Sequence, residues 1–472
     1  MKALVLTALI AAVAFAQPTV TVSPTAGPPT DKVTLSGTGF GADETVDLYF
    51  DTADMSLAAT GPGGSFTGIG LTIPASANPG THWITGVGRR SGLAAQAGFI
   101  VQANWPQFRR GPAHQGYNAT ENILNVANVK GMQLLWSATL GAGINNSSPV
   151  VANGVVYVGA LDGSVYAFKA GTGGPLWSQG IGEPIEDSPA VATGVTYATS
   201  YGELYALDAA TGHVNWYTAS EGFGEASPAV ANGVVFVASD NNYLYAFDAT
   251  TGQQNWKAPA TASISSSPAV ADGVVYVGSD DHKLYAFNAA TGQPLWSAAT
   301  SAAIADSSPA VENGVVYVGS NDKKLYAFNG ATGQLLWSAA TAASISSSPA
   351  VANGLVYVGS LDHSLYAFNA VTGQPAWRAA TGNQIWSSPA VANGVVYVGS
   401  NDFNLYAFNA ATGQQVWSAA TGGQIISSPA VANGIVYAGS DKLYAFGLGP
   451  ADTPARPNPA TLQPDPTLVP RQ

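Results

Sequence analysis

The stretch KLYAFNAATGQPLW, residues 283–296, decides how the rest of the chain is read. It holds no nucleophile set beside a base, no metal-ligand pair and no phosphate loop, yet the chain rewrites it every 39 to 41 residues. Its indole recurs as Trp136, Trp177, Trp216, Trp256, Trp296, Trp337, Trp377 and Trp417. A Ser-Pro mark recurs eight times from Pro149 to Pro429, and a Tyr mark eight times from Tyr166 to Tyr444. Repetition at this period is the first fact to explain.

Each unit reads as four short antiparallel strands. SSPAV leads through Ala-Asn-Gly or Ala-Asp-Gly, a two-residue hairpin signal, into VVYVG, rich in β-branched and aromatic residues. A polar turn, LYAFNA, the turn ATG and a Trp strand complete it, and no 3.6-residue apolar period competes. The pattern predicts an all-β chain built around an eight-bladed β-propeller with four-stranded blades. Trp136 precedes the first Ser-Pro, while the last unit stops at Phe446 without a Trp strand. Residues around Trp136 are therefore expected to close the last blade from outside, removing two free sheet edges. One indole buries on the order of 150–250 Å², roughly 4–6 kcal/mol of gross hydrophobic gain, which makes the repeated phrase an adhesive between blades.

Composition bounds the function. Charged residues make up 9% of 472, the formal net charge is −12, and only 16 residues are Lys or Arg. Such a chain has little means of neutralising phosphates, so nucleic acid is excluded as a partner. Residues 1–16 read as a secretory signal peptide, no other segment reads as a transmembrane span, and the absence of Cys excludes disulfides and a lipid-anchor cysteine. A secreted, periplasmic or cell-envelope location is expected. Residues 17–102 alternate in short runs between Gly/Pro/Ser turns and predict a β-sandwich, residues 103–448 the propeller, and residues 449–472 a Pro-rich disordered tail.

The units, of the form A-x-[DN]-x-x-T-G-x-x-x-W, resemble the tryptophan-docking repeats of the pyrroloquinoline-quinone (PQQ) propellers, and NWPQFRRGPAHQGYN, residues 104–118, resembles the segment that precedes them. SGTGFGADETV and NPGTHWITGVG give the first domain a resemblance to Ig-like or IPT-type modules. The resemblance implies that each indole stacks between the Gly of its own blade and the Ala of the next, from Ala167 to Ala445. One family branch holds PQQ and calcium and oxidises alcohols or sugars. The other, BamB-like, is non-catalytic and binds protein partners. Minimal blades without Cys place this chain nearer the second, so no catalytic residue and no cofactor are assigned, and a PQQ-dependent dehydrogenase with calcium is the alternative. The expected partner is another envelope or extracellular protein, or a glycan.

Variation between units concentrates on the face that carries the B–C turns and D–A links. Glu183, Glu186, Asp187, Glu221 and Glu225 are expected near one rim there, as a solvated acidic patch or a weak calcium set. Tyr201, Trp386, Phe403, His282 and His363 are the binding-face candidates. Neither Asp-His pair, at 281–282 or 362–363, has a third ligand spaced to join it in a metal site.

Overall fold

The computed structural model describes residues 17–200, 202–219, 221–224, 226–449 and 455–468. The leader prediction lies outside these residues. Two units separate, one of residues 103–451 and one joining residues 1–102 to 452–472. Among the described residues the only helical turns are two 3-10 segments, Val129–Gly131 and Pro459–Thr461. No helix there is long and apolar enough to cross a membrane.

In the larger unit eight sheets follow one another, seven of them built on four consecutive antiparallel strands and one of those extended by the short parallel strand Tyr117–Asn118. The first comprises Val150–Ala152, Val155–Gly159, Ser164–Lys169 and Pro175–Gly180. Its first hairpin turns at Asn153 and Gly154, with φ of 51° and 77°, the positive pair that a type I′ turn needs. The innermost strands touch in sequence order, and Ala430–Ala432 of the last sheet returns to Val150–Ala152 of the first. The last sheet borrows its outer strand from upstream: Gln133–Ala138 pairs with Leu443–Gly447, setting Trp136 opposite Ala445.

The indoles join neighbours, but in the opposite sense to the one expected. Each Trp sits across from the Ala of its own sheet, as Trp296 does from Ala286, and lies on the Gly of the following sheet. A Cβ on Gly333 would stand 2.6 Å from Trp296, and the same holds at 2.6–2.7 Å for Gly292 under Trp256 and Gly173 under Trp136. Only Gly, at φ near +70°, leaves room for the ring. The ring nitrogen then donates to a carbonyl of the next sheet: Trp296 to Gly330 at 2.9 Å and Trp377 to Ala410 at 2.9 Å. Tyr276 and Tyr357 donate to the same two carbonyls. At the seam, Trp136 and Tyr437, from opposite ends of the unit, both donate to Ala170 of the first sheet. Trp417 lacks a Gly beneath it; it packs edge-on to Phe446 and donates to Met132. All eight indoles are half-buried, so each contributes less than full burial would give.

A second docking series has no counterpart in the sequence reading. Six of the eight links into an inner strand set an Ile on a Gly near the end of the B strand of the sheet before; the other two sheets carry Thr199 and Ala238 at that position. Ile185 meets Gly159, Ile304 meets Gly278, and Ile144 meets Gly439 across the seam.

In the smaller unit, a three-stranded sheet and a five-stranded sheet share a core that includes Val22, Leu35, Phe40, Leu48, Phe66, Ile84 and Phe99. His82 is buried there, with Asp51 Oδ2 2.7 Å from Nδ1 and the Asn78 carbonyl 2.7 Å from Nε2. The described part of the Pro-rich tail, residues 455–468, belongs to this unit and bonds to the five-stranded sheet.

Candidate functional site

The site is built on the inner strands of the larger unit. Their outward edges pair within each sheet, which leaves inward backbone groups to be satisfied. The lead-in does this. Residues 105–118 run round the inside as a belt, bonding each inner strand in turn. Trp105 exchanges two bonds with Val151, and Pro106 accepts from Val191. Gln107 exchanges two with Val230, and Pro112, Ala113, Gln115 and Gly116 accept from Val270, Val311, Val351 and Val391. Asn118 donates to Val431, completing the turn of eight. The Arg109 guanidinium is fully buried and donates to the Pro349 and Pro389 carbonyls. Burial works against the charge of Arg109 and pushes the nearby His114 imidazole down to about 3, so His114 is neutral.

Next along the axis, the Ser of each Ser-Pro mark forms a closed circuit. The backbone N–H of Ser148 donates to Ser188 Oγ, and so on through Ser227, Ser267, Ser308, Ser348, Ser388 and Ser428, which donates back to Ser148, all at 2.9–3.0 Å. Each bond contributes only about 1 kcal/mol net, but a closed chain of them fixes the radius of the opening.

Above the serines sits the tier that decides what can bind. Phe108 of the belt lines a cup of about 130 Å³ that is open at its mouth, room for the end of a side chain. Its wall carries Asn146, Glu186, Ser265, Asp306, Ser346, Trp386 and Ile426, nearly one from each unit. These residues stand just before the Ser-Ser-Pro of otherwise near-identical repeats, yet they differ in charge and polarity. Among the described residues, units one, two, four, five and six contribute polar or acidic groups, and units seven and eight contribute Trp386 and Ile426. Asp306 reaches the water in the cup while the enclosing walls raise its carboxyl above the ordinary value, against a bond from Ser346. Asp280 is raised too, by burial first and then by the charges of Asp306, Asp240 and Asp281.

The four expected carboxylates among the described residues are placed differently. Glu186 lines the cup, Glu183 is exposed, and Glu221 accepts from Tyr245 at 2.9 Å. Asp187 points elsewhere: it takes the place that Ser147, Ser307 and Ser387 hold in other units, accepting from the backbone of strand B, here Thr199 at 3.0 Å. It is fully enclosed, with Oδ1 unpartnered, and burial lifts its carboxyl to about 7. Glu225 and Tyr201 lie outside the described residues. Among the described residues, no group of three His, Asp or Glu side chains could hold a metal ion.

Of the binding-face candidates, Trp386 lines the cup and is half-buried, its ring nitrogen 3.3 Å from Gln384 Oε1. His282, His363 and Phe403 share a different job. Each takes the positive-φ position of a B–C turn, at 69° to 73°, and accepts from a Thr of the outer strand. They sit outside the cup lining. Asp281 and Asp362 are engaged by Tyr285 and Tyr366. Phe108, Asn146, Ser265, Asp306, Ser346 and Ile426 escaped the sequence reading. Comparing the units column by column, rather than loop by loop, exposes all but Phe108.

Residues 122–224, 202–344, 298–385 and 378–452 match the family model described as outer membrane protein assembly factor BamB. The chain belongs to this family of PQQ-repeat β-propellers. Among curated proteins, lupanine 17-hydroxylase [cytochrome c] of Pseudomonas sp is 32% identical over 80 residues, 17% of this chain. That match spans only 11% of the relative's length. Among solved structures, the quinohemoprotein alcohol dehydrogenase of Comamonas testosteroni is similar with a TM-score of 0.63 at 18% identity, over 75% of this chain and 82% of that one. BamB of Moraxella catarrhalis is similar with a TM-score of 0.58 at 21% identity, over 67% and 97%. At these identities the likeness is one of fold, which both relatives share.

Proposed function

We propose that this protein is a non-catalytic binding scaffold: an eight-bladed propeller whose cup receives a cationic side chain, Lys or Arg, presented beside an apolar group by a partner protein. The observation that carries this reading is the heterogeneity of the cup wall. Repeats that agree nearly everywhere else diverge at one tier, and the divergence is ordered, with Glu186 and Asp306 on the acidic part and Trp386 and Ile426 on the apolar part. Carboxylates in a partly enclosed site attract a cation more strongly than they would in open water, and an indole offers it a π face. The leader-like residues 1–16 favour an extracytoplasmic location, and the sandwich is read as an Ig-like module ahead of the propeller.

The quinoprotein alternative fits the cup poorly. PQQ is a tricarboxylate, whereas the described lining offers carboxylates and no Lys or Arg. The buried Arg109 below is committed to two carbonyls. Calorimetric titration with benzyltrimethylammonium, an organic cation with an apolar body, tests the reading. Saturable binding that weakens with salt is expected, and none to benzoate. Preference for the anion, or dye-linked alcohol oxidation after loading with PQQ and Ca²⁺, would reverse the order of the two readings.

A further inference from the structure

The C-terminal tail, ARPNPATLQPDPTL over residues 455–468, has too few apolar residues to fold by burial and the Pro content of an extended linker. It nevertheless has a defined seat on the small unit. Pro459, Leu462, Asp465 and Leu468 are half-buried and almost all residues between them are exposed, a spacing of three. Pro459–Thr461 makes one 3-10 turn, and Leu462 leaves it extended, at φ −71° and ψ 138°.

The seat is the outer face of the five-stranded sheet. Tyr49 and Thr85 oppose each other there and are buried to 1% and 0%, although neither belongs to the apolar core between the sheets. Two anchors bracket them. At one end the Arg456 guanidinium stacks 4.6 Å from the centre of the Trp83 ring, its Nε donates to Gln96 Oε1 at 2.6 Å, and Gln96 Nε2 donates to the Pro457 carbonyl at 2.9 Å. At the other, the Asp465 N–H donates to Asp54 Oδ2 at 2.8 Å, and Arg89, paired with Asp47, reaches the Asp465 carbonyl. An aromatic platform with side-chain hydrogen bonds to the peptide backbone is how folded modules read Pro-rich segments, whose preformed conformation lowers the entropy lost on docking. No described tail residue is fully buried, so the tail is held by these contacts rather than by a core of its own.

We infer that this face is a receptor for Pro-rich peptides of the Arg-Pro-x-Pro type, filled at rest by the chain's own tail. When the tail leaves, the same platform accepts such a segment from a partner.

The test uses the full chain and a version ending at Gly449, with a fluorescein-labelled peptide of residues 452–468 as probe. The shortened chain is expected to bind the probe saturably, and the full chain at least ten-fold more weakly because its site is filled. Arg456→Ala in the probe, or Trp83→Ala in the shortened chain, should each weaken binding at least ten-fold. Equal affinity for the two chains, or no binding by a shortened chain that still melts cooperatively, overturns the proposal. Should the shortened chain fail to fold, hydrogen exchange on the full chain decides. Trp83→Ala should speed exchange of the Leu462 and Asp465 amides at least ten-fold, and unchanged exchange refutes the seat.

Discussion

The outer and inner layers of the larger unit obey opposite rules. Outside, eight indoles do one job with one geometry, and the only exception, Trp417, falls where the last sheet lacks its Gly turn. Inside, the tier above the serine circuit changes identity from unit to unit. Uniform positions hold sheet to sheet, and a repeat gains stability by repeating them. A position free to diverge within the same scaffold is where recognition can reside. Stability should therefore track the outer layer and binding the inner one.

The largest expected effect comes from breaking the outer layer. Trp296→Ala removes an indole held by Gly333 and the Gly330 carbonyl, and should cost about 3 kcal/mol in denaturant unfolding while leaving cation binding intact. A cost below about 0.5 kcal/mol would mean the indoles do not hold the ring. Asp187 sharpens the comparison, because it is a carboxylate in a position that most units give to Ser. Its folded value of about 7 lies above the ordinary 3.8, so the folded state holds a proton that the unfolded chain releases between those values. Its contribution is therefore best below pH 4 and is lost as pH rises through 7. Asp187→Ser should raise stability at pH 8 by an amount on the order of 3 kcal/mol and change little at pH 4. An equal gain at both pH values would separate the effect from titration. A smaller gain is expected at Thr193, the β-branched residue in the turn position that other units give to Asn or Asp, at φ 48°. Thr193→Asn should stabilise by about 1 kcal/mol in the same assay, and a loss would show the turn is not strained.

The period, the strand content and the borrowed strand at Trp136 were legible because each mark recurs at fixed spacing. The sense of docking was not, since spacing reports that an indole meets a Gly but not whether that Gly lies ahead or behind. The belt was hidden for a different reason: it occurs once, and it bonds largely through backbone, which leaves no side-chain signature. Glu186 and Trp386, both expected on the face with the B–C turns and D–A links, line the cup. Asp187 was grouped with Glu186 because they are adjacent, although successive residues of an extended segment point to opposite sides and only one enters the cup. The tail's composition suggested disorder, and its three-residue rhythm becomes visible only against a surface.

The most direct measurement combines both layers in one protein. Glu186→Ser, Asp306→Ser and Trp386→Ser together give these units the residue already present at Ser265 and Ser346. Melting and benzyltrimethylammonium titration should then show a Tm close to that of the parent and binding reduced at least ten-fold. A protein that melts far earlier, or one that binds the cation as before, would contradict the division between a uniform ring that stabilises and a divergent tier that recognises.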